Sequence, residues 1–444
     1  MGSDFDSFHE SPLGAFMQSS LGERGGPQGL VRLIGKNAGS GQRGKVIHTE
    51  ALKSYILGDG EGGGASGVLL KYTRPVSNTD LGSLDWHKNF SSGFSRQGVV
   101  TAPDGDVFFS GVGASTRFTF GVFAGADGAK HFLKDITPDT ATGTDWGGFS
   151  ITKAVQDVVG VGNAIADGEP VVALDTRLNM APNFKTIPSL AKIDTETGTV
   201  QSYKGFPYSS TVVDTRIAQN STHYFLGSSG FGILKIDKSS LSPVKSIAVV
   251  DAFILFKDLA VSEDKVFALG LRSSPSKWVL YCFSAGDLSV LWAKEADPPG
   301  EFLLEIHSLA ATPGAVYVSK SITKTGKGSE LALFKFNAGD GAFVSALTLG
   351  GTSSDEVLGI SIADKVTTTG GAKSESFTLN QNSIVYMEQP KGFESNHTIG
   401  ITDVSITTTD LTANQGEVTI TSTSADNGAT VSDADYGIKI PAYT

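Results

Sequence analysis

The chain has 444 residues, of which 54 are glycine and one is cysteine, and its formal net charge is −11. The negative charge argues against nucleic acid as a partner, because phosphate contacts need a basic surface. A single cysteine excludes an intrachain disulfide and a cysteine-based metal site. Cys282 stands in the apolar run 279–283, which predicts a buried thiol.

Residues 1–45 are predicted to form an extended arm. No basic stretch followed by an apolar one is present, so we expect no signal peptide, and no apolar run is long enough for membrane insertion. Residues 1–23 carry four acidic groups and no Lys or Arg, whereas residues 24–45 carry five basic groups and no Asp or Glu. The segment is too poor in apolar side chains for a core of its own. A disordered leader is the alternative.

We expect this arm to order on neighbouring subunits and to be dispensable for folding the rest of the chain. The candidate assembly contacts are Phe16, Met17, Arg24, Arg32, Arg43 and Lys45. Residues 39–45 match Gly-x4-Gly-Lys, but Val46 follows where a phosphate-binding loop needs Ser or Thr. We therefore expect no nucleotide cofactor at this segment.

A short apolar strand recurs after the arm, each time following a turn. Its equivalent positions are Tyr55, Val107, Val171, Tyr224, Val266, Val316 and Val366, and the successive steps are 52, 64, 53, 42, 50 and 50 residues. Propeller blades have periods of about 40–50 residues. The long step predicts an insertion near residues 135–165. Trp146 in that insertion is a candidate ligand contact, since exposed Trp side chains are enriched at interfaces.

Each copy has matching neighbours in the sequence. A strand and a turn precede it, and a hairpin follows it, as in residues 331–336, the turn 337–341 and residues 342–347. Gly-Asp and Thr-Gly turns between apolar runs indicate hairpins. Such a four-stranded unit buries its faces by radial packing with further copies. We therefore predict an all-β fold with a single β-propeller of about seven four-stranded blades over residues 46–391. A parallel β-helix has a shorter repeat and lacks these hairpins.

Residues 392–444 differ again, with seven acidic residues and one Lys. Apolar residues alternate at 399–406, 418–420 and 438–440, which predicts a small β appendage or arm. The opposite charges of the two ends suggest that they pair head to tail between copies of the chain. Such pairing acts only at contact, because salt screens charges beyond about 8–10 Å.

No catalytic or metal-binding pattern emerges from the sequence. The seven histidines are not spaced as metal pairs, and no Gly-x-Ser-x-Gly turn is present. We therefore expect no enzyme activity, no metal and no cofactor.

Trp86-His-Lys88, followed by the run Pro103 to Gly111, resembles bacterial and phage propeller repeats with a Trp-x-Lys and Asp-Gly pattern. Residues 191–198 are similar to the hairpin of quinoprotein-type blades. The resemblance implies a propeller and is specific for architecture rather than function.

The expected function is that of a non-enzymatic structural protein of a bacteriophage virion, in a tail, fibre or appendage. Its expected partners are other virion subunits, including copies of itself, and a host-surface glycan. One alternative is a glycan-processing propeller enzyme, which would carry two or three carboxylates on inner strands around the channel. A bacterial surface propeller that acts as a binding module is another.

Overall fold

The structure is a computed structural model in which every regular element is a β-strand within the described part of the chain. This confirms the all-β fold class. The described residues are 30–35, 42–60, 63–75, 80–91, 94–113, 118–136, 140–143, 151–158, 170–180, 183–206, 213–229, 232–249, 254–273, 276–297, 306–323, 329–349, 356–372, 383–389, 400–403, 408–411, 416–419, 425–426, 431–433 and 437–439.

The strands form seven antiparallel blades arranged in a ring, as the repeat predicts. The first strand of the chain is β1 (Leu30–Gly35). Blade 1 contains β2 (Arg43–Glu50), β3 (Lys53–Gly60), β4 (Gly63–Thr73) and β5 (Ser83–Phe90). Blade 2 contains β6 (Phe94–Thr101), β7 (Val107–Gly113), β8 (Phe118–Phe123) and β9 (Lys130–Ile136). Blade 3 contains β10 (Thr140–Gly143), β11 (Ile151–Val158), β12 (Val171–Met180), β13 (Asn183–Ile193) and β14 (Val200–Gly205).

The second half of the ring repeats this plan. Blade 4 contains β15 (Val213–Gln219), β16 (His223–Ser229), β17 (Gly232–Asp237) and β18 (Pro243–Val249). Blade 5 contains β19 (Ile254–Ser262), β20 (Lys265–Ser273), β21 (Ser276–Ser284) and β22 (Val290–Asp297). Blade 6 contains β23 (Ile306–Ala311), β24 (Ala315–Thr323), β25 (Ser329–Asn337) and β26 (Phe343–Leu349). Blade 7 contains β27 (Glu356–Ile362), β28 (Val366–Ala372) and β29 (Ser383–Gln389).

The apolar core lies between the blades rather than in one central mass. Seven hydrophobic clusters fill the seven junctions between neighbouring blades. One inner-strand residue enters the cluster shared with the preceding blade at six of these junctions, and each is at most 7 % exposed. These residues are Ile47, Val99, Ile217, Leu259, Leu309 and Ile360. Each blade therefore buries both of its faces, which an isolated sheet cannot do.

A bulge interrupts the pairing of the inner strand with the next strand in every blade, at a common level in six blades and further along β12, opposite Arg177, in blade 3. The residues that follow it are Val46, Gly98, Asp157, Arg216, Asp258, Ser308 and Gly359. Counted from this bulge, Tyr55 of blade 1 is equivalent to Phe108 of blade 2 and not to Val107. The sequence register of blade 1 was therefore wrong by one residue. A bulge bends and twists a strand, so its repetition gives the inner strands of the six blades that share this level a similar bend.

The outer hairpins of blades 2 to 6 close through a common turn. In blade 6, the Gly341 N–H donates to the Asn337 carbonyl over 2.9 Å. Gly341 has a φ of +69°, a left-handed conformation in which glycine lacks the steric cost of a Cβ atom. Leu241 and Leu288 take this conformation in blades 4 and 5, where both side chains are buried. The Gly-Asp and Thr-Gly turns predicted from the sequence are confirmed.

Blade 7 takes its fourth strand from the other end of the chain. β1 pairs antiparallel with β29 from Leu30 opposite Glu388 to Ile34 opposite Ile384. Leu33 and Ile34 are fully buried in the clusters on the two faces of this blade. The predicted boundary at residue 45 was therefore wrong, because residues 30–35 and 43–45 belong to the propeller sheets. The partner strand of β1, β29, begins at Ser383, so the two paired strands come from opposite ends of the propeller sequence.

The C-terminal segment is not a separate appendage but a belt around the ring. Its strands are β30 (Gly400–Asp403), β31 (Thr408–Leu411), β32 (Gly416–Thr419), β33 (Ala425–Asp426), β34 (Val431–Asp433) and β35 (Gly437–Lys439). They pair antiparallel with β22, β18, β14, β9, β5 and β1 respectively. The belt thus visits blades 5, 4, 3, 2, 1 and 7 in reverse chain order. Within the described residues, blade 6 alone has no fifth strand.

The opposite charges of the two chain ends predicted that they would pair between copies. Within one chain, a part of each end does pair, since Leu33 of β1 lies opposite Lys439 of β35. Pairing between copies stays a prediction. Blade 3 contains the predicted insertion. There β10 pairs with both β11 and β32, and β32 also pairs with β14, so the sheet closes on itself.

Candidate functional site

The inner strands surround a channel that opens into a cavity of about 820 Å³ on the side where the first two strands of each blade turn. Six blades contribute to its described wall, through residues 47–50, 99–103, 217–221, 259 and 261, 309–311 and 360–362, together with Lys238. We call this cavity the channel mouth. Its volume lies within the range of about 300–1,000 Å³ found for small-molecule sites.

A polar cluster occupies the wall formed by blades 1 and 2. His48 Nε2 lies 3.0 Å from Thr101 Oγ1 and 3.7 Å from Glu50 Oε1. The Thr101 hydroxyl also donates to Glu50 Oε1. The Glu50 side chain is 46 % exposed and lines the cavity. Hydrogen bonding from His48, assisted by Thr101, holds the pKa of the Glu50 carboxyl below its ordinary value, although partial burial acts in the opposite direction.

A chain of hydroxyl groups continues the cluster into blade 7. The Thr49 N–H donates to Ser361 Oγ over 3.0 Å, and Thr49 Oγ1 lies 2.7 Å from Thr367 Oγ1 and 3.0 Å from Ser54 Oγ. The contacts with Ser361 and Thr367 cross from blade 1 to blade 7, just as the His48–Thr101 contact crosses from blade 1 to blade 2. The cluster therefore joins three blades and fixes the position of Glu50.

The wall formed by blades 5, 6 and 7 is mainly apolar, with Ser361 as a polar side chain within it. Val261, Ala310, Ala311 and Ile362 line it, and all four are partly exposed. We call these four residues the apolar arc. Lys238 lies in the wall of blade 4, in the turn after β17, with its Nζ 5.0 Å from the centroid of the Tyr224 ring. The mouth therefore has a carboxylate on one wall, an ammonium on another, and an apolar surface beside them.

Deeper in the channel, Asp258 and Arg216 connect three blades. Asp258 Oδ2 accepts the Leu309 N–H of blade 6 over 2.6 Å, and Arg216 Nε donates to the Lys257 carbonyl over 2.9 Å. Removal from water raises the pKa of the Asp258 carboxyl, although Arg216 and the backbone donors oppose that shift. Asp258 and Glu50 are the carboxylates among the inner-strand side chains that the structure describes. Asp258 is engaged by backbone donors, so Glu50 is the one presented to the cavity.

Three of the candidate assembly contacts, Phe16, Met17 and Arg24, lie outside the described residues, as does the candidate ligand contact Trp146. Arg32 is buried on β1, where Nη2 donates to the Asp80 carbonyl of blade 1 over 2.6 Å. Its prediction as a surface contact was wrong, because it joins blade 7 to blade 1.

Arg43 and Lys45 both lie on β2, at the end of the channel opposite the mouth. Arg43 Nε and Lys45 Nζ are 2.7 and 3.3 Å from Oδ2 of the buried Asp59. Their side chains remain 40 % and 27 % exposed. Both side chains therefore form an ion pair within the chain, and their role in assembly stays a prediction.

The Trp-x-Lys pattern has a structural role that sequence reasoning missed. The Trp86 indole donates to the Gly125 carbonyl of the neighbouring blade over 3.2 Å, and Trp292 donates to the Ala338 carbonyl over 3.3 Å. A Cβ atom on Gly341 would lie 2.7 Å from Trp292 Cε3. Each Trp ring thus packs against the outer turn of the next blade and donates a hydrogen bond to it. Trp292-Ala-Lys294 repeats the spacing of Trp86-His-Lys88, which was the signal available in the sequence.

Cys282 is fully buried, as predicted, and burial raises the pKa of its thiol to about 12. Among the described residues, no group of three or more His, Cys, Asp or Glu side chains is placed to hold a metal ion. No helix in that part of the chain is long and apolar enough to span a membrane.

Comparison with known proteins gives similarity in structure only. No protein-family model and no curated protein matches the sequence. The WD40 β-propeller domain of Doa1 has a TM-score of 0.47 at 11% identity, over 81% of this chain and 97% of that one. BamB from Moraxella catarrhalis has a TM-score of 0.41 at 9% identity, over 79% and 95%. The quinohemoprotein alcohol dehydrogenase ADHIIG from Pseudomonas putida HK5 has a TM-score of 0.41 at 8% identity, over 79% and 67%.

Proposed function

We propose that the chain is a non-enzymatic structural protein of a bacteriophage particle, in a tail, a fibre or another appendage. The propeller would serve there as a rigid binding platform. The observation that supports this most is that both ends of the chain fasten the disk. β1 completes blade 7, and the belt covers the outer edges of six blades. Covered edges leave few backbone groups for uncontrolled strand pairing with other chains.

The two ends of the channel are the surfaces that suit this role. The channel mouth combines a cavity with polar and apolar walls. At the opposite end, Arg43 and Lys45 present partly exposed positive charge. A neighbouring subunit or a copy of the same chain would dock on these surfaces. A host-surface glycan is the other class of target, since a disk with many loops offers broad contact area.

Mass spectrometry of purified particles from a lysate of the strain that carries the gene tests the placement. We expect peptides of this chain at a constant ratio to the major tail proteins through successive density gradients. Recovery of the chain in the soluble host fraction alone would contradict the proposal.

A panel of bacterial polysaccharides tests the non-enzymatic part. We expect binding without release of reducing ends. Turnover that disappears when Glu50 is replaced by Gln, in a protein with unchanged melting, would instead establish a glycan-processing enzyme.

A further inference from the structure

We propose that the channel mouth binds an aliphatic zwitterion, a chain with an ammonium group at one end and a carboxylate at the other. This inference is independent of any place in a virion. It rests on the distribution of charge and apolar surface around the cavity.

The two charged groups lie on different walls. Glu50 belongs to blade 1 and Lys238 to blade 4, three steps apart in a ring of seven, so they lie on opposite sides of the axis. Opposite charges on facing walls match a ligand with the same separation of charge. They disfavour a ligand with a single charge, because one wall would then repel it.

The acceptor for an ammonium group is already oriented. Thr101 and His48 both contact Oε1 of Glu50, which leaves Oε2 for a ligand in a side chain that is 46 % exposed. Hydrogen bonds that fix a carboxylate before binding reduce the entropy that binding must overcome. A charge-assisted hydrogen bond to a ligand ammonium is roughly twice as strong as a neutral one.

The apolar arc suits the aliphatic part of such a ligand. Val261, Ala310, Ala311 and Ile362 contribute apolar surface from blades 5 to 7, and the two alanines take up little of the cavity. No Phe, Tyr or Trp side chain lines the described cavity, so a sugar face lacks the large aromatic platform on which it would stack. Methylene groups gain from contact with such a wall in proportion to the area buried.

Isothermal titration calorimetry with 6-aminohexanoate tests the proposal on the full chain. We expect one site per chain, with hexylamine and hexanoate binding at least about tenfold more weakly, since each lacks one charged contact. A series from 4-aminobutyrate to 8-aminooctanoate should show an optimum length. Nα-acetyl-lysine with a free carboxylate mimics the C-terminal lysine of a partner protein. Tighter binding of this compound than of free lysine would indicate a protein C-terminus as the ligand, and the opposite order would indicate a free amino acid.

Two variants locate the site. Glu50→Gln should weaken 6-aminohexanoate binding by about tenfold and leave hexanoate binding unchanged. Lys238→Met should also weaken 6-aminohexanoate binding by about tenfold, but it should leave hexylamine binding unchanged. Glu263→Gln is the matched control, because Glu263 is exposed on the same side of the propeller but does not line the cavity. Thermal melting of each variant verifies that the propeller is intact, and Lys238→Met remains informative should Glu50→Gln fail to fold. Absence of binding in the wild type, or equal binding of hexylamine and 6-aminohexanoate, would overturn the proposal.

Discussion

Arg74 and Glu388 stand 314 positions apart in the chain, and Nη1 of the arginine lies 2.9 Å from Oε1 of the glutamate. The contact crosses the junction between blades 1 and 7, where the ring closes. Arg74 Nη2 also lies 2.5 Å from Asp364 Oδ2, and Lys365 contacts Glu388 as well. Glu388 is 1 % exposed, so these cations compensate a buried charge at the closing point.

Removal of Arg74 should therefore weaken the closure. We expect Arg74→Ala to lower the free energy of unfolding by about 3 kcal/mol, because it removes one partner of a largely buried pair. Urea denaturation measures this. Adding Glu388→Gln to Arg74→Ala should cost less than the sum of the two single changes, and strict additivity in that double-mutant cycle would show that the pair is not coupled.

Deletion of residues 1–35 should abolish cooperative folding, contrary to the prediction that the arm is dispensable. Leu33 and Ile34 are fully buried and contribute roughly 1.5–3 kcal/mol each. Their loss also exposes the edge of β29. Deletion of residues 1–29 alone is the matched control, since it keeps β1. Differential scanning calorimetry should show an intact transition for the control, and an intact transition for both deletions would exclude a closing role for β1.

Three glycines separate backbone strain from steric contact at the turns. Gly341→Ala should destabilise by more than the roughly 1–2 kcal/mol of left-handed strain, because its Cβ would also meet Trp292 and Lys294 at 2.7 Å. Gly105→Ala should show the strain alone, since its φ is +92° and nothing lies within 4 Å. Gly314→Ala should be nearly neutral, because it has neither feature. Thermal melting of the three proteins ranks their losses of stability. Equal losses would contradict close packing of Trp292 against Gly341.

The polar cluster at the channel mouth should lose its contribution in acid. The pKa of Glu50 is lowered from its ordinary 4.5 in the folded state, so the carboxylate stabilises the fold above that value. The contribution disappears as pH falls through the folded pKa. Glu50→Gln should therefore be less stable than the wild type at pH 7, and the difference should shrink as pH falls below 4.5. A constant difference across this range, measured by urea denaturation, would contradict the assignment.

Lys320 should have the opposite effect on stability. It is 1 % exposed in blade 6, and desolvation lowers the pKa of its ammonium from 10.5 to about 7. The unfolded chain retains that proton up to its ordinary pKa, so wild-type stability should rise between about pH 7 and pH 10.5. Lys320→Met should remove this rise and stabilise the protein at pH 7 by roughly 1–3 kcal/mol. Lys335→Met is the control in the same blade and should bring no gain, because the Lys335 ammonium lies 6.0 Å from the Tyr317 ring centroid.

Local signals made the blades predictable from the sequence. The turns at 194–198, 284–288 and 337–341 join strands that are adjacent in sequence and in space, so their residues reveal the hairpins directly. The bulge in each first strand has no such signal. Its position depends on packing against the neighbouring blade, and for this reason blade 1 was aligned one residue out of register.

The ring closure and the belt depend on distant partners. Nothing within residues 30–35 indicates that β29 is their partner, because that choice is made by two apolar clusters built from blades 1, 6 and 7. The belt strands are two to four residues long. Such short segments show too little alternation to reveal which edge they cover. The channel mouth is likewise lined by residues of six blades. The sequence alone therefore does not show that Glu50 and Lys238 line one cavity.

Blade 7 also differs in its outer pairing. The bulge between third and fourth strands occurs in blades 1 to 6 but not in the β29–β1 pair. Blade 1 has the bulge although a longer connection joins its two strands, from Thr73 to Ser83. The regular β29–β1 ladder is therefore particular to the pair whose strands come from the two ends of the chain.

The path of the belt gives the molecule a defined response to pulling. A force applied at the C-terminus meets β35 first, then β34 and β33, and each strand is held by only a few backbone hydrogen bonds. The force therefore acts on the hydrogen bonds of one short strand at a time and not on those of all six strands together. Tension at this end would peel off the perimeter in small steps, blade after blade from 7 round to 5, before it reached the sheets beneath.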